Sequence, residues 1–227
     1  MTLAANLAHI REQIAAACRR ANRSESEVAL MAVTKTHSAG TVMEAYAAGV
    51  RLFGENRVQE WQEKSLAVTH LLDAKFHLIG PLQSNKTARA AELFHAIDTV
   101  DTLKIATRLD AAARALGKRL PILIEVKLSH EESKHGILPA ELPMLLAGLA
   151  PLDSLVPAGL MTVPAWADDP ELSRAAFREL RCLRDASLNA CPTLTQLSMG
   201  MSNDFEVAIE EGSTCIRIGA ALFGRRR

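Results

Sequence analysis

The sequence predicts an α/β protein folded as one closed (β/α)8 TIM barrel spanning residues 1–227 as a single domain. Three observations predict it. Eight short β-rich runs recur along the chain, segments with helical spacing separate them, and the runs are almost continuously apolar rather than alternating. Strand and helix in alternation imply parallel strands joined by right-handed crossovers, because each helix must return over the sheet before the next strand starts. Continuous apolar runs imply strands covered on both faces, and eight such strands suggest closure. A doubly wound open sheet is the alternative arrangement.

The chain opens on an amphipathic helix at about residues 3–21, whose Arg11 and Glu12 interrupt the apolar stretch, so it lacks the basic-then-apolar order of a secretory signal. The first run is Val28 to Val33, and the helical segment Thr41 to Ala48 follows it. The next pairs are Arg51 to Phe53 with Arg57 to Leu72, Phe76 to Ile79 with Asn85 to Leu93, and His95 to Asp98 with Thr102 to Leu116. Ile122 to Leu128 is followed by Ala140 to Leu149, Leu155 to Val163 by Pro170 to Leu188, and Gln196 to Met199 by Asp204 to Glu211, before a last run from Cys215 to Gly219. Pro139, Pro151, Pro157, Pro164 and Pro170 punctuate the middle at loop and helix-start positions.

Composition limits the function. With 26 basic and 26 acidic residues no overall field recruits nucleic acid or an anionic membrane, and no stretch approaches the roughly 18 to 20 apolar residues of a membrane span. A soluble, cytoplasmic protein is expected. Cys18, Cys182, Cys191 and Cys215 are scattered, without a Cys-x-x-Cys pair, and read as reduced and mostly buried thiols.

A barrel of this kind carries its site at the C-terminal ends of the strands. There the sequence places Thr34-Lys35-Thr36-His37, Gly54-Glu55-Asn56, Gly80-Pro81-Leu82-Gln83, Lys127, Met161-Thr162, Gly200-Met201-Ser202-Asn203, and Arg217 ahead of Gly219. Lys35 ends an apolar strand, and a lysine there either snorkels outward or enters the barrel mouth. A desolvated lysine has a lowered pKa, and its neutral amine attacks an aldehyde to form an imine. The seventh and eighth loops offer Ser202, Asn203, Gly219 and Ala220, with Ser202 or Asn203 as cap of the helix near Asp204. That group makes either a phosphate cup or a plain N-cap and tight turn. Arg217, inside a hydrophobic strand, requires an anionic or acceptor partner; a phosphate or a pyridine nitrogen would serve, and a buried pair with Glu55 or Glu125 is the structural alternative.

Other patterns carry less. The histidines of His130-Glu131-Glu132-Ser133-Lys134-His135 are five apart, about 140° around a helix, against the i, i+4 spacing of a shared metal, and no metal site is expected. GxGxxG and Walker patterns are absent, as is any Ser-His-Asp or Cys-His spacing that would support a hydrolase.

AVTKTH around Lys35, FGENRVQE from Phe53, FHLIGPLQSNK from Phe76, ESKHGI from Glu132, GLMTVPA from Gly159 and LSMGMSNDFEVAIEEGSTCIRIGAALFG from Leu197 closely resemble the pyridoxal phosphate homeostasis family. The resemblance implies a fold-type III barrel similar to the N-terminal domain of alanine racemase, with pyridoxal 5′-phosphate (PLP) held as a covalent aldimine on Lys35. It further implies Ser202, Arg217, Gly219 and Ala220 on the phosphate side, Arg217 also facing the pyridine nitrogen, and Asn56, His77 and Met161 near the ring. Ala220 departs from the threonine that often follows RIG in that family, which costs one side-chain hydroxyl to phosphate, about 0.5 to 1.5 kcal/mol.

Racemases of this fold add a C-terminal β-domain with catalytic residues and dimer contacts, and the sequence ends at Arg227 after the last barrel segment. The expected function is therefore intracellular PLP homeostasis, buffering the cofactor and delivering it to apo-enzymes as a monomer, with no catalytic residue assigned. The alternative is a PLP-dependent amino-acid racemase pairing Lys35 with a second base among His37, Lys127 and Lys134. Lys134 is also a candidate for accepting the aldehyde during transfer.

Overall fold

The computed structural model describes residues 2–129, 131 and 134–224. Its eight strands form one closed, all-parallel barrel in sequence order. They are β1 (Ala29–Val33), β2 (Leu52–Glu55), β3 (Lys75–Leu78), β4 (Ala96–Val100), β5 (Leu120–Glu125), β6 (Leu155–Met161), β7 (Gln196–Ser198) and β8 (Cys215–Ile218). Closure is made by β8 against β1, with Met31 opposite Arg217 and Ala32 opposite Ile218. The helices are α1 (Leu3–Arg20), α2 (Ala39–Ala47), α3 (Val58–Ser65), α4 (Thr87–Leu93), α5 (Leu103–Ala115), α6 (Leu142–Leu149), α7 (Arg174–Ser187), α8 (Phe205–Glu210) and α9 (Ala220–Phe223).

Side chains alternate across each strand. Phe53, Phe76 and Leu78 face outward and, with Trp61 of α3 and Phe94, fill the layer between barrel and helices, where the Trp61 and Phe76 rings stack at 4.0 Å. Inside the barrel a second, small apolar cluster of Leu123, Ala158 and Met161 touches Val163 above it. The lumen also buries the polar side chains Asp98, Ser198 and Arg217.

Two helices differ from the sequence expectation. α3 stops at Ser65 rather than Leu72, because the following segment breaks into hydrogen-bonded turns that bury Val68, Leu71 and Ala74. α9 is a four-residue helix after Gly219 that the sequence reading leaves unassigned. α1 packs on α8 and α9, where Asn6 donates to the Leu222 carbonyl at 2.9 Å and Arg20 pairs with Glu206 and Glu210.

No helix among the described residues is long and apolar enough to cross a membrane. Cys18 and Cys215 are buried, whereas Cys182 is exposed and Cys191 half-buried, so the thiols are less sheltered than the sequence reading held.

Candidate functional site

A pocket of about 400 Å³ opens at the C-terminal ends of the strands and brings together Lys35, Asn56, Ser202, Arg217, Gly219 and Ala220. Its volume lies within the usual range for small-ligand sites. Alternation explains the set: Val33 and Lys35 enter the mouth from β1 and its loop, and Asn56 from β2, while their neighbours Thr34 and Glu55 point the other way. Close backbone packing shapes the rim, since a Cβ on Gly80 would lie 2.3 Å from the Asn56 carbonyl oxygen.

Arg217 forms the floor. Its Nη1 donates to the Ser198 carbonyl at 2.6 Å and to the Ser198 hydroxyl at 2.8 Å, and its Nη2 to the Thr162 carbonyl at 2.7 Å. Neutral acceptors thus answer this side chain, not the ion pair with Glu55 or Glu125 that the sequence allowed. Burial lowers the guanidinium's pKa, with Cys215, Asp98, Glu125 and Asp204 opposing that shift, and an arginine stays charged even so.

At the rim, the Ser202 hydroxyl accepts the Ala221 N–H at 3.2 Å. It therefore joins the seventh loop to the start of α9 instead of capping α8. Asp204 occupies the N-cap position of α8 without a side-chain cap bond. It turns back on its own loop, accepting the Met201 N–H at 2.7 Å, and the Ser173 hydroxyl donates to it at 3.0 Å. Asn203 donates to the Ala167 carbonyl at 2.9 Å and ties down the loop after β6.

Two residues expected near a ring do not line this pocket. Met161 is 1% exposed in the lumen cluster, one layer below the mouth. His77 precedes Ile79, the β3-side residue that does reach the pocket, by two positions. It therefore sits roughly 6.6 Å deeper at the rise of a parallel strand. It lines a separate cavity of about 330 Å³ at the opposite end, with Lys75, His95 and Asp98, and its Nδ1 meets Asp98 at 3.1 Å.

Conversely, Glu125, His135, Trp166 and Asp204 line the mouth without having been singled out as site residues. Of the second bases considered for a racemase only Lys134 reaches it. His37 is absent from the lining and packs against Phe223 in a tilted pair, ring centroids 4.7 Å apart, and Lys127 is also absent from the lining. His130, Glu132 and Ser133 of the sequence motifs there lie outside the described residues. Among the described residues no three His, Cys, Asp or Glu side chains group as metal ligands.

Burial pushes the Glu125 carboxyl up to about 7, with the Arg217 charge opposing and Asp101 adding to the shift. A folded-state pKa above the unfolded value means that the folded form holds this proton more tightly. Its contribution to stability is full below the ordinary carboxylate range and is lost as pH rises through about 7. The loss amounts to at most about 3 kcal/mol. The melting temperature of the ligand-free protein is expected to fall between about pH 4.5 and pH 7.5, and Glu125→Gln to reduce that slope. A remainder comes from Glu55 and Asp101, also raised by burial. An unchanged slope in the variant removes the assignment.

Comparison with known proteins gives this geometry its family. The model of the alanine racemase N-terminal domain matches residues 5–227. The pyridoxal phosphate homeostasis protein of Escherichia coli K12 is 43% identical over 229 residues, covering 99% of this chain and 97% of its own. That of Pseudomonas aeruginosa is 43% identical over 226 residues, with 99% and 96% covered. Among solved structures, PipY of Synechococcus elongatus with PLP bound superposes with a TM-score of 0.88 at 40% identity, covering 98% of this chain and 100% of that one. An alanine racemase of Clostridium difficile, at 16% identity and a TM-score of 0.76, shares the fold, and this chain covers 60% of it. The chain belongs to the alanine racemase N-terminal domain family and, within it, to the pyridoxal phosphate homeostasis proteins.

Proposed function

We propose that this protein binds PLP in the mouth pocket and serves PLP homeostasis, holding the cofactor as a Schiff base on Lys35 and releasing it to apo-enzymes. One observation carries the reading. A single pocket gathers Lys35, a hydroxyl and small residues at the rim, and a buried arginine at the floor, in a chain 40% identical along its length to a protein solved with PLP bound. PLP supplies an aldehyde for the lysine amine and a dianion for a rim of N–H and O–H donors.

The residues present fit that group, and each has work within this chain. Lys35 offers the amine, and Asn56 stands beside it from β2. Ser202 holds the seventh loop against Gly219 and Ala220, where the phosphate is to lie. Arg217, facing the pyridine nitrogen as the resemblance implies, would set a fixed positive charge there, which would disfavour a proton on that nitrogen and weaken the ring as an electron sink. That arrangement suits retention better than carbanion chemistry. On this reading the protein works in the cytoplasm as a monomer.

The racemase alternative needs an acid/base group on each face of a substrate carbon. Lys134 is the one candidate among those considered that reaches the pocket, and it lies 3.8 Å from Glu131.

The test is transfer. PLP-loaded protein, freed of excess ligand, is mixed with an apo-acceptor enzyme, and acceptor activity is followed beside deuterium exchange at Cα across an amino-acid panel. Activation of the acceptor without exchange supports the carrier. Retention without transfer overturns delivery, and exchange establishes the enzyme.

A further inference from the structure

We propose that Lys64, acting with Glu60 and Glu55 behind the barrel wall, is a positioning residue that sets the backbone on both sides of Lys35. This rests on the PLP reading above.

The Lys64 ammonium has three hydrogens and spends them within one small space. It donates to the Thr34 carbonyl at 2.9 Å, to Glu55 Oε1 at 2.8 Å and to Glu60 Oε1 at 3.2 Å. Its side chain is 7% exposed, and that of Glu55 is fully buried. The same Glu55 oxygen accepts the Thr34 hydroxyl at 2.7 Å, and the same Glu60 oxygen accepts the Thr36 N–H at 2.5 Å. Residue 34 is thus held by carbonyl and side chain, and residue 36 by its amide, leaving Lys35 between two fixed points. Thr36 has φ +65°, a conformation that β-branched residues rarely adopt, and the Glu60 bond falls on that amide.

Fold stabilisation alone explains this poorly. A buried ion pair returns little net stability once desolvation is counted, and here the second Glu55 oxygen is buried with no partner. A merely cohesive contact has no reason to converge on the two peptide groups flanking one lysine. A device that fixes geometry does, because a reacting amine must be held within a fraction of an ångström of its target.

The test uses two ligands that differ at one carbon. PLP carries the aldehyde that engages Lys35, while pyridoxine 5′-phosphate carries an alcohol in its place and keeps the ring and phosphate. Equilibrium Kd values for both, with the melting temperature of each ligand-free variant, are measured on wild type, Lys64→Met, Glu60→Ala and Glu60→Gln. Lys64→Met and Glu60→Ala are expected to weaken PLP by about tenfold while pyridoxine 5′-phosphate changes by less than about twofold. Glu60→Gln, which keeps an acceptor oxygen, is expected to stay near wild type for both. Should Lys64→Met fail to fold, Glu60→Ala carries the test, since Glu60 is only half-buried and its loss leaves Glu55 paired with Lys64.

Equal loss of both ligands, or no loss of either, overturns the proposal and leaves the PLP reading intact. A wild-type protein that holds the aldehyde no better than the alcohol overturns the Schiff-base reading, and this proposal with it.

Discussion

Lys35→Ala is expected to lose the visible band near about 420 nm that the wild type should show after loading with PLP, and to weaken PLP by roughly 100-fold or more. The measurement is the absorption spectrum and Kd of each protein after excess ligand is removed. The size follows from what is lost. An imine to a fixed amine adds a covalent bond to the ring and phosphate contacts, and even a hundredfold effect corresponds to only about 2.7 kcal/mol. The ring and phosphate contacts remain in the variant, so pyridoxine 5′-phosphate is expected to bind both proteins alike. If wild type shows no band, the cofactor reading fails. If the variant shows it too, another lysine is the anchor, and Lys134, in the same pocket, is the first to replace.

The fold was legible because its signals are periodic. Eight apolar runs, spaced by helical segments, leave few arrangements open, and closure of β8 on β1 selects the barrel over an open sheet. The ends of elements were less legible, because α3 ends where Val68 and Leu71 gain burial in turns, a tertiary preference that local periodicity does not report.

For the site, strand ends point to Lys35 and the family resemblance adds Asn56, and both line the mouth. Strand position and side-chain alternation on the observed barrel leave out His77, which is too deep, and bring in Glu125, which ends β5 and faces the lumen. Reading β5 as far as Leu128 drew attention to Lys127 instead. His135 and Trp166 enter from long loops, whose path no local pattern encodes. The Lys64 network lies a helix away from the lysine it holds, and only the fold brings the two together.

Arg217 separates two parts of the proposed binding mode. Its guanidinium points across β7 to the Ser198 and Thr162 carbonyls, toward the barrel axis, while Ser202 and the start of α9 stand at the rim. Of the two roles that the resemblance implies for Arg217, the phosphate side and the pyridine nitrogen, this direction favours the second, and in the proposed binding mode its charge would face the ring. Arg217→Met is therefore expected to weaken PLP and phosphate-free pyridoxal by the same factor, about 10- to 100-fold, the worth of one charge-assisted contact of roughly 1.5 to 3 kcal/mol.

Stability should change far less than binding. The variant leaves the Thr162 carbonyl without its Arg217 donor, costing about 1 to 3 kcal/mol, but it also relieves the desolvation of a buried charge, which is of similar size. Ser198 keeps a second partner, its carbonyl still accepting the Thr162 N–H at 3.2 Å. Titrations of both ligands, beside a denaturant melt of the ligand-free protein, decide the matter. Loss confined to PLP, with pyridoxal unchanged, would move Arg217 to the phosphate. A melt shifted by more than about 3 kcal/mol with both affinities intact would make it a structural residue alone, since it would then exceed the orphaned-carbonyl cost without any ligand contact.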